Sequence, residues 1–65
     1  MIDAVNRHQR IATTDDGRVC EITNFYDCRG DETDDVDAAI AAVVKISERA
    51  WMAIDLRLFT STPLQ

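Results

Sequence analysis

The sequence contains few residues of the kinds that build specialised sites. Its 65 residues include one proline, two glycines, two cysteines and one histidine. A structural zinc site needs about four clustered ligands, and His8 lies far along the chain from both cysteines. A small secreted scaffold usually carries four or more cysteines, so we expect free thiols at Cys20 and Cys28. Two glycines cannot supply a phosphate-binding glycine pattern. No metal and no cofactor are predicted.

Long apolar runs are also missing. No stretch approaches the roughly 20 apolar residues that cross a bilayer, so no membrane association is expected. The N-terminus lacks the basic and apolar regions of a secretory signal, which predicts a cytoplasmic protein. The sequence argues against an enzyme for two reasons. It has a single histidine and no Gly-x-Ser-x-Gly motif, and it is too short to enclose a pocket that excludes water.

What is present fits one small folded domain over residues 1–65. Hydrophobic residues make up 46% and charged residues 29% of the chain, whereas aromatics supply only 6%. The core must therefore consist mainly of aliphatic side chains. Residues 1–10 form an N-terminal arm for which a helical turn, a fraying arm and an edge segment are all open. Residues 60–65 form a C-terminal tail.

An Asp-Gly pair predicts a β-hairpin over residues 11–26. A two-residue turn at Asp16 and Gly17 suits the positive φ angles that type I′ turns require. The resulting cross-strand pairs are Asp15 with Arg18, Thr13 with Cys20 and Ile11 with Ile22. A slip of one residue would exchange the two faces of the hairpin.

The second half of the chain shows two other periodicities. The face formed by Val36, Ala39, Ile40, Val43, Val44 and Ser47 recurs every three or four positions and is apolar except for Ser47. This spacing predicts a helix with Asp34 as its N-cap. Residues 51–59 alternate between apolar and mixed positions, which predicts a strand. The predicted fold class is therefore α+β. Its order is β-β-α-β, a three-stranded antiparallel sheet with one helix packed on one face.

Charge is concentrated in one segment. The formal net charge is −5, and residues 27–37 contain six acids and one base. The rest of the chain is balanced, so the whole excess lies here. Three interpretations are open: a solvated turn with a helix cap, a calcium loop, and an acidic docking surface. The calcium interpretation fails on spacing, because Arg29 and Ala38 occupy positions that need oxygen ligands.

Two candidate interaction surfaces follow. We expect Trp51 and Phe59 to share a strand face opposite the one that the helix covers. That face is either exposed, where aromatics are favoured as interface anchors, or covered by the N-terminal arm or the tail. The candidate acidic docking residues are Asp15, Asp16, Glu21, Asp27, Asp31, Glu32, Asp34, Asp35 and Asp37.

In size, charge placement and lack of a catalytic set, the chain resembles the small inhibitors encoded by bacteriophages, above all anti-CRISPR proteins of the DNA-mimic kind. The resemblance implies a non-enzymatic inhibitor whose carboxylates stand in for phosphates and block the DNA-binding surface of a bacterial defence complex, in the host cytoplasm. The partner would be a basic protein surface such as a CRISPR effector. Direct nucleic-acid binding is disfavoured by the sign of the charge. A monomer is favoured; the alternative is a homodimeric interaction or regulatory module that uses the Trp51/Phe59 face.

Overall fold

The computed structural model describes residues 1–59, and its regular elements are five strands and one short 3-10 helix. The strands are β1 (Ile2–Asn6), β2 (Ile11–Thr14), β3 (Val19–Tyr26), β4 (Ala41–Ser47) and β5 (Ala50–Asp55), and the 3-10 helix is Leu56–Phe59. They form one antiparallel sheet in the order β1-β2-β3-β4-β5, curled into a half-barrel. The predicted α+β fold with three strands is wrong. None of the described helical segments is long and apolar enough to span a bilayer.

The predicted helix is replaced by a loop and by strand β4. Ala42 and Val44 are buried while the residues between and beside them are half-buried, which is the period of a strand. Val43, Val44 and Ile46 are β-branched and lose side-chain freedom in a helix, whereas they pack well on a pleated sheet. Pairing with β3 on one side and β5 on the other satisfies the backbone of β4. Asp34 consequently lies in a loop and caps no helix.

The predicted hairpin is present, but its register is shifted by one residue. Ala12 lies opposite Cys20, and the Thr14 N–H donates to the Arg18 carbonyl at 2.8 Å. The turn therefore contains three residues, and Gly17 ends it at a φ of 90°. This is the three-residue hairpin loop with a left-handed glycine rather than the two-residue turn. As a result, Ala12 and Thr14 face the core in place of their neighbours.

At the N-terminus the structure decides between the alternatives left open, and near the other end the predicted strand is shorter than expected. Of the three alternatives for residues 1–10, the structure forms the edge segment, strand β1, followed by a turn. The predicted strand over residues 51–59 ends at Asp55 and continues as the 3-10 helix. The predicted tail, residues 60–65, lies outside the described residues.

The core occupies the concave face of the sheet. Its largest fully buried side chains are Phe25, Ile22, Leu56 and Val44, each worth about 1.5–3 kcal/mol relative to an exposed position. Ala39, in the β3–β4 loop, is buried in the same cluster. The loop is joined to the sheet by backbone hydrogen bonds from Ile40 to Tyr26 (2.8 Å) and from Leu56 to Ile40 (2.9 Å). No described element covers the convex face, where Val19 and Trp51 are 62% and 55% exposed.

Candidate functional site

The candidate acidic residues lie in three separate places. Asp15 and Asp16 occupy the β2–β3 turn, and the acids of residues 27–37 occupy the β3–β4 loop at the opposite end of the sheet. Strand β3 separates these two ends by about 23 Å, at 3.3 Å per residue. Glu21 lies between them on the convex face, opposite Ile11 on one side and Lys45 on the other. The structure therefore brings together only the carboxylates of the β3–β4 loop.

The two carboxylates of the β2–β3 turn have local partners. Asp16 accepts hydrogen bonds from the Thr14 hydroxyl and from the Arg18 N–H. These bonds hold the pKa of the Asp16 carboxyl below its ordinary value. Asp15 lies 3.6 Å from the ammonium group of Met1. Both acids thus stabilise the turn and the chain start.

Two acids of the β3–β4 loop also have structural roles. The Asp27 carboxylate accepts the N–H groups of Arg29 at 2.9 Å and Asp31 at 3.1 Å, which closes a tight turn. Glu32 accepts a hydrogen bond from the Asn24 side-chain amide at 3.0 Å. The sequence suggested no local role for either acid, because the turn and the Asn24 contact form only in the folded loop.

The far part of this loop is held by the turn between β1 and β2. The Arg7 guanidinium donates to the carbonyl oxygens of Val36 and Ala39, both at 2.7 Å. Beside it, His8 Nε2 lies 3.1 Å from Asp37 Oδ1, and both side chains are exposed. Sequence analysis missed Arg7, since its partners are backbone carbonyls about 30 residues away and leave no pattern in the sequence. Folding therefore places a cation against the acidic loop.

Three carboxylates of the loop have no such partner. Within residues 1–59, no hydrogen bond or ion pair reaches the carboxylates of Asp31, Asp34 or Asp35, and all three residues are exposed. The same part of the chain contains no group of three or more His, Cys, Asp or Glu side chains that could hold a metal ion. The loop thus presents free negative charge to solvent.

The predicted pairing of Trp51 with Phe59 on one strand face is wrong. Trp51 lies on the convex face of β5, opposite Lys45 on β4. Phe59 lies in the 3-10 helix and packs against the core on the other side of the sheet. The two side chains separate because β5 ends at Asp55, so the alternation expected to continue to residue 59 stops.

Two open clefts lie along the side where the half-barrel does not close. One has a volume of about 430 Å³ and is lined by Arg7, His8, Asp37 and the apolar residues Val5, Leu56 and Phe59, together with Asn6. The other, about 260 Å³, lies between the start of β1 and strand β5 and is mostly apolar. Both are shallow, and neither contains a buried nucleophile or a charged pair shielded from water.

The thiols are as expected: Cys20 is buried in the core, Cys28 is exposed in the loop, and both are free.

The chain was also compared with known proteins. No protein-family model, no curated protein and no solved structure matches it.

Proposed function

We propose that the protein is a non-enzymatic inhibitor that binds a basic protein surface through its β3–β4 loop, in the manner of anti-CRISPR proteins that imitate DNA. The observation that carries the proposal is the set of exposed, unpartnered carboxylates at Asp31, Asp34 and Asp35. Crowded like charges repel one another and lower the stability of a free protein. A basic partner relieves that repulsion.

The spacing of the loop carboxylates supports a phosphate-like role. Asp31, Glu32, Asp34 and Asp35 lie within five residues, and five residues span at most about 14 Å. The loop therefore holds at least one carboxylate per about 3.5 Å of chain, and one DNA strand holds one phosphate per about 3.4 Å of helix axis. A cleft shaped for a nucleic-acid strand meets a comparable charge density here.

We restrict the proposed surface to the β3–β4 loop. Asp15, Asp16 and Glu21 lie away from the loop and have no part in it, and Asp27 serves the turn. The proposed docking residues are Asp31, Glu32, Asp34, Asp35 and Asp37. The proposed partner is a CRISPR effector or another nucleic-acid-binding complex of the host cytoplasm, and the proposal involves no direct binding of nucleic acid.

A charge-reversal experiment tests the proposal. Tagged protein is used to capture a complex from bacterial lysate, and the captured complex is then tested for binding to labelled target duplex. We expect the wild type to displace duplex and to lose the partner at high salt. The variant Asp34→Lys with Asp35→Lys should need at least about tenfold more protein for the same displacement, which is about 1.4 kcal/mol of binding free energy.

The matched control is Asp15→Lys with Glu48→Lys, which changes the net charge equally at the opposite end of the sheet. It should compete almost as well as the wild type. Equal weakening by both variants would show a nonspecific charge effect and overturn the proposal. A captured complex that resists high salt, or one that keeps its duplex, would also overturn it.

A further inference from the structure

We propose that the free edge of β5 binds a second copy of this chain, so that two five-stranded sheets join antiparallel across a two-fold axis. The inference does not depend on the acidic loop. It concerns the edge of β5, where the residues from Trp51 to Ile54 are uncharged. It starts from a difference between the two edges of the half-barrel.

Strand β1 has the features that keep an edge from pairing. Its register is broken between Ile2 and Ala4, and the charged Asp3 stands at that irregularity. Bulges and charges at an edge hinder the approach of another strand. Strand β5 has neither feature between Trp51 and Ile54, where four uncharged residues pair regularly with β4. Trp51 and Met52 are 55% and 36% exposed at this edge.

The hydrogen-bond pattern shows which backbone groups this edge offers. The Leu56 N–H donates to the Ile40 carbonyl, and bonded pairs alternate along an antiparallel ladder. Ile54 and Met52 therefore point their backbone groups toward β4. The N–H and C=O groups of Trp51, Ala53 and Asp55 point the other way, and no strand within residues 1–59 pairs with them.

The side chains select one register for a second copy. The core-facing residues of both copies lie on the same side of the joined sheet only in every second register. One such register places Met52 opposite Met52 of the second copy, and Trp51 opposite its Ala53 in a hydrogen-bonded pair. It also places Arg49 opposite Asp55, twice by symmetry. A shift by two residues in one direction would place Arg49 opposite Ala53 and lose the charge pair, and a shift in the other direction would carry Arg49 past Asp55, where β5 ends.

The same arrangement explains why an acidic protein can pair with itself. The β3–β4 loops lie at the same end as the C-terminus of β5, so antiparallel pairing keeps the two loops at opposite ends of the joined sheet. The acidic loops therefore do not meet. A six-residue edge is short, and interfaces at the low end of the size range form transient complexes. We therefore expect a dimer that dissociates on dilution.

Sedimentation equilibrium over a wide concentration range tests the pairing, with hydrogen exchange as a second readout. The mass should rise from 7.3 kDa toward twice that value, and the amides of Trp51 and Ala53 should become more protected with concentration. Ala53→Pro should abolish both effects, because it removes an edge N–H while every bond to β4 remains. Circular dichroism checks that this variant keeps the fold.

A charge swap tests the register. Arg49→Asp should weaken association about tenfold, and adding Asp55→Arg to it should restore association. Circular dichroism checks that the double variant keeps the fold without the ion pair between Asp55 and Arg57. Arg29→Asp, the same charge change in the distant loop, is the control and should have little effect. A constant monomer mass, protection that does not depend on concentration, or association that survives Ala53→Pro would each overturn the proposal.

Discussion

At the residue scale, three positions within residues 1–59 hold the backbone in the left-handed region. Gly17 and Gly30 have φ angles of 90° and 84°, and Arg10 has a φ angle of 59°. Glycine adopts such angles without cost, whereas a residue with a Cβ does not. Arg10 has a compensating contact, because its guanidinium lies 5.3 Å from the centroid of the Phe25 ring. These residues fix where the chain reverses.

The first prediction concerns Gly17. Replacing it with alanine should lower the free energy of unfolding by about 1 kcal/mol, because the turn requires a positive φ. A Cβ at this position would meet no atom within 4 Å, so the loss comes from the backbone alone. Urea unfolding measures it. Gly17→Asn, which tolerates left-handed angles better, should lose less. Equal stability of Gly17→Ala and the wild type would contradict the assigned turn.

At the scale of elements, the β3–β4 loop depends on the β1–β2 turn as much as on its own sequence. Arg7 joins the two by binding Val36 and Ala39 from a position far away in the chain. Because Ala39 belongs to the buried cluster, this contact also positions part of the core. The loop thus combines a fixed base with an exposed acidic part.

We therefore expect Arg7→Ala to be destabilising. Loss of two hydrogen bonds from a charged donor should cost about 1.5–3 kcal/mol in the free energy of unfolding, seen as a lower midpoint in urea. Arg7→Lys keeps the charge but not the planar fork and should recover only part of the loss. Arg29→Ala, which removes an exposed guanidinium from the same loop, is the control and should change stability little. A neutral Arg7→Ala would contradict the contact.

The secondary-structure elements also show how much of the fold a local sequence pattern can predict. The Asp-Gly pair predicts the hairpin correctly. However, the loop has three residues instead of two, and this difference decides which side chains of β2 face the core. The spacing of Val36 to Ser47 fits a helix, and Val44 satisfies both periods, since it lies on the predicted helical face and is also buried in strand β4. Pairing with β3 and β5 decides in favour of the strand, and that pairing is not a local property.

At the scale of the whole molecule, the curled sheet leaves its convex face uncovered and its β1 and β5 edges unpaired by any strand of residues 1–59. Folding also redistributes the charge that the sequence concentrates in residues 27–37, since Arg7 comes to lie against them. Several carboxylates elsewhere are hydrogen-bonded. Asp55 is one: the hydrogen bonds that its carboxylate accepts from the side chain and the N–H of Arg57, each at 2.9 Å, lower the pKa of the Asp55 carboxyl. Stability should therefore depend on pH.

The direction of the pH dependence follows from the linkage between proton binding and folding. Asp16 and Asp55 both have a lowered pKa in the folded protein, so their contribution is present above the unfolded value of 3.8 and is lost as the pH falls through the folded pKa. Urea unfolding between about pH 6 and pH 3 should show a falling midpoint. The variant Asp16→Asn with Asp55→Asn should flatten that fall. Asp31→Asn, which removes a carboxylate without a hydrogen-bond partner, should not flatten it.

The sequence by itself determined the bulk charge and its location, the free cysteines, and the positions of strands β2 and β3. These follow from composition and from short-range chemistry such as the Asp-Gly turn. Only the tertiary structure decided that residues 41–47 form a strand, that Trp51 and Phe59 separate, and that Arg7 lies against the acidic loop. The physical reason is that strand pairing, the Arg7 contacts and burial join residues distant in the chain, and no local pattern encodes them.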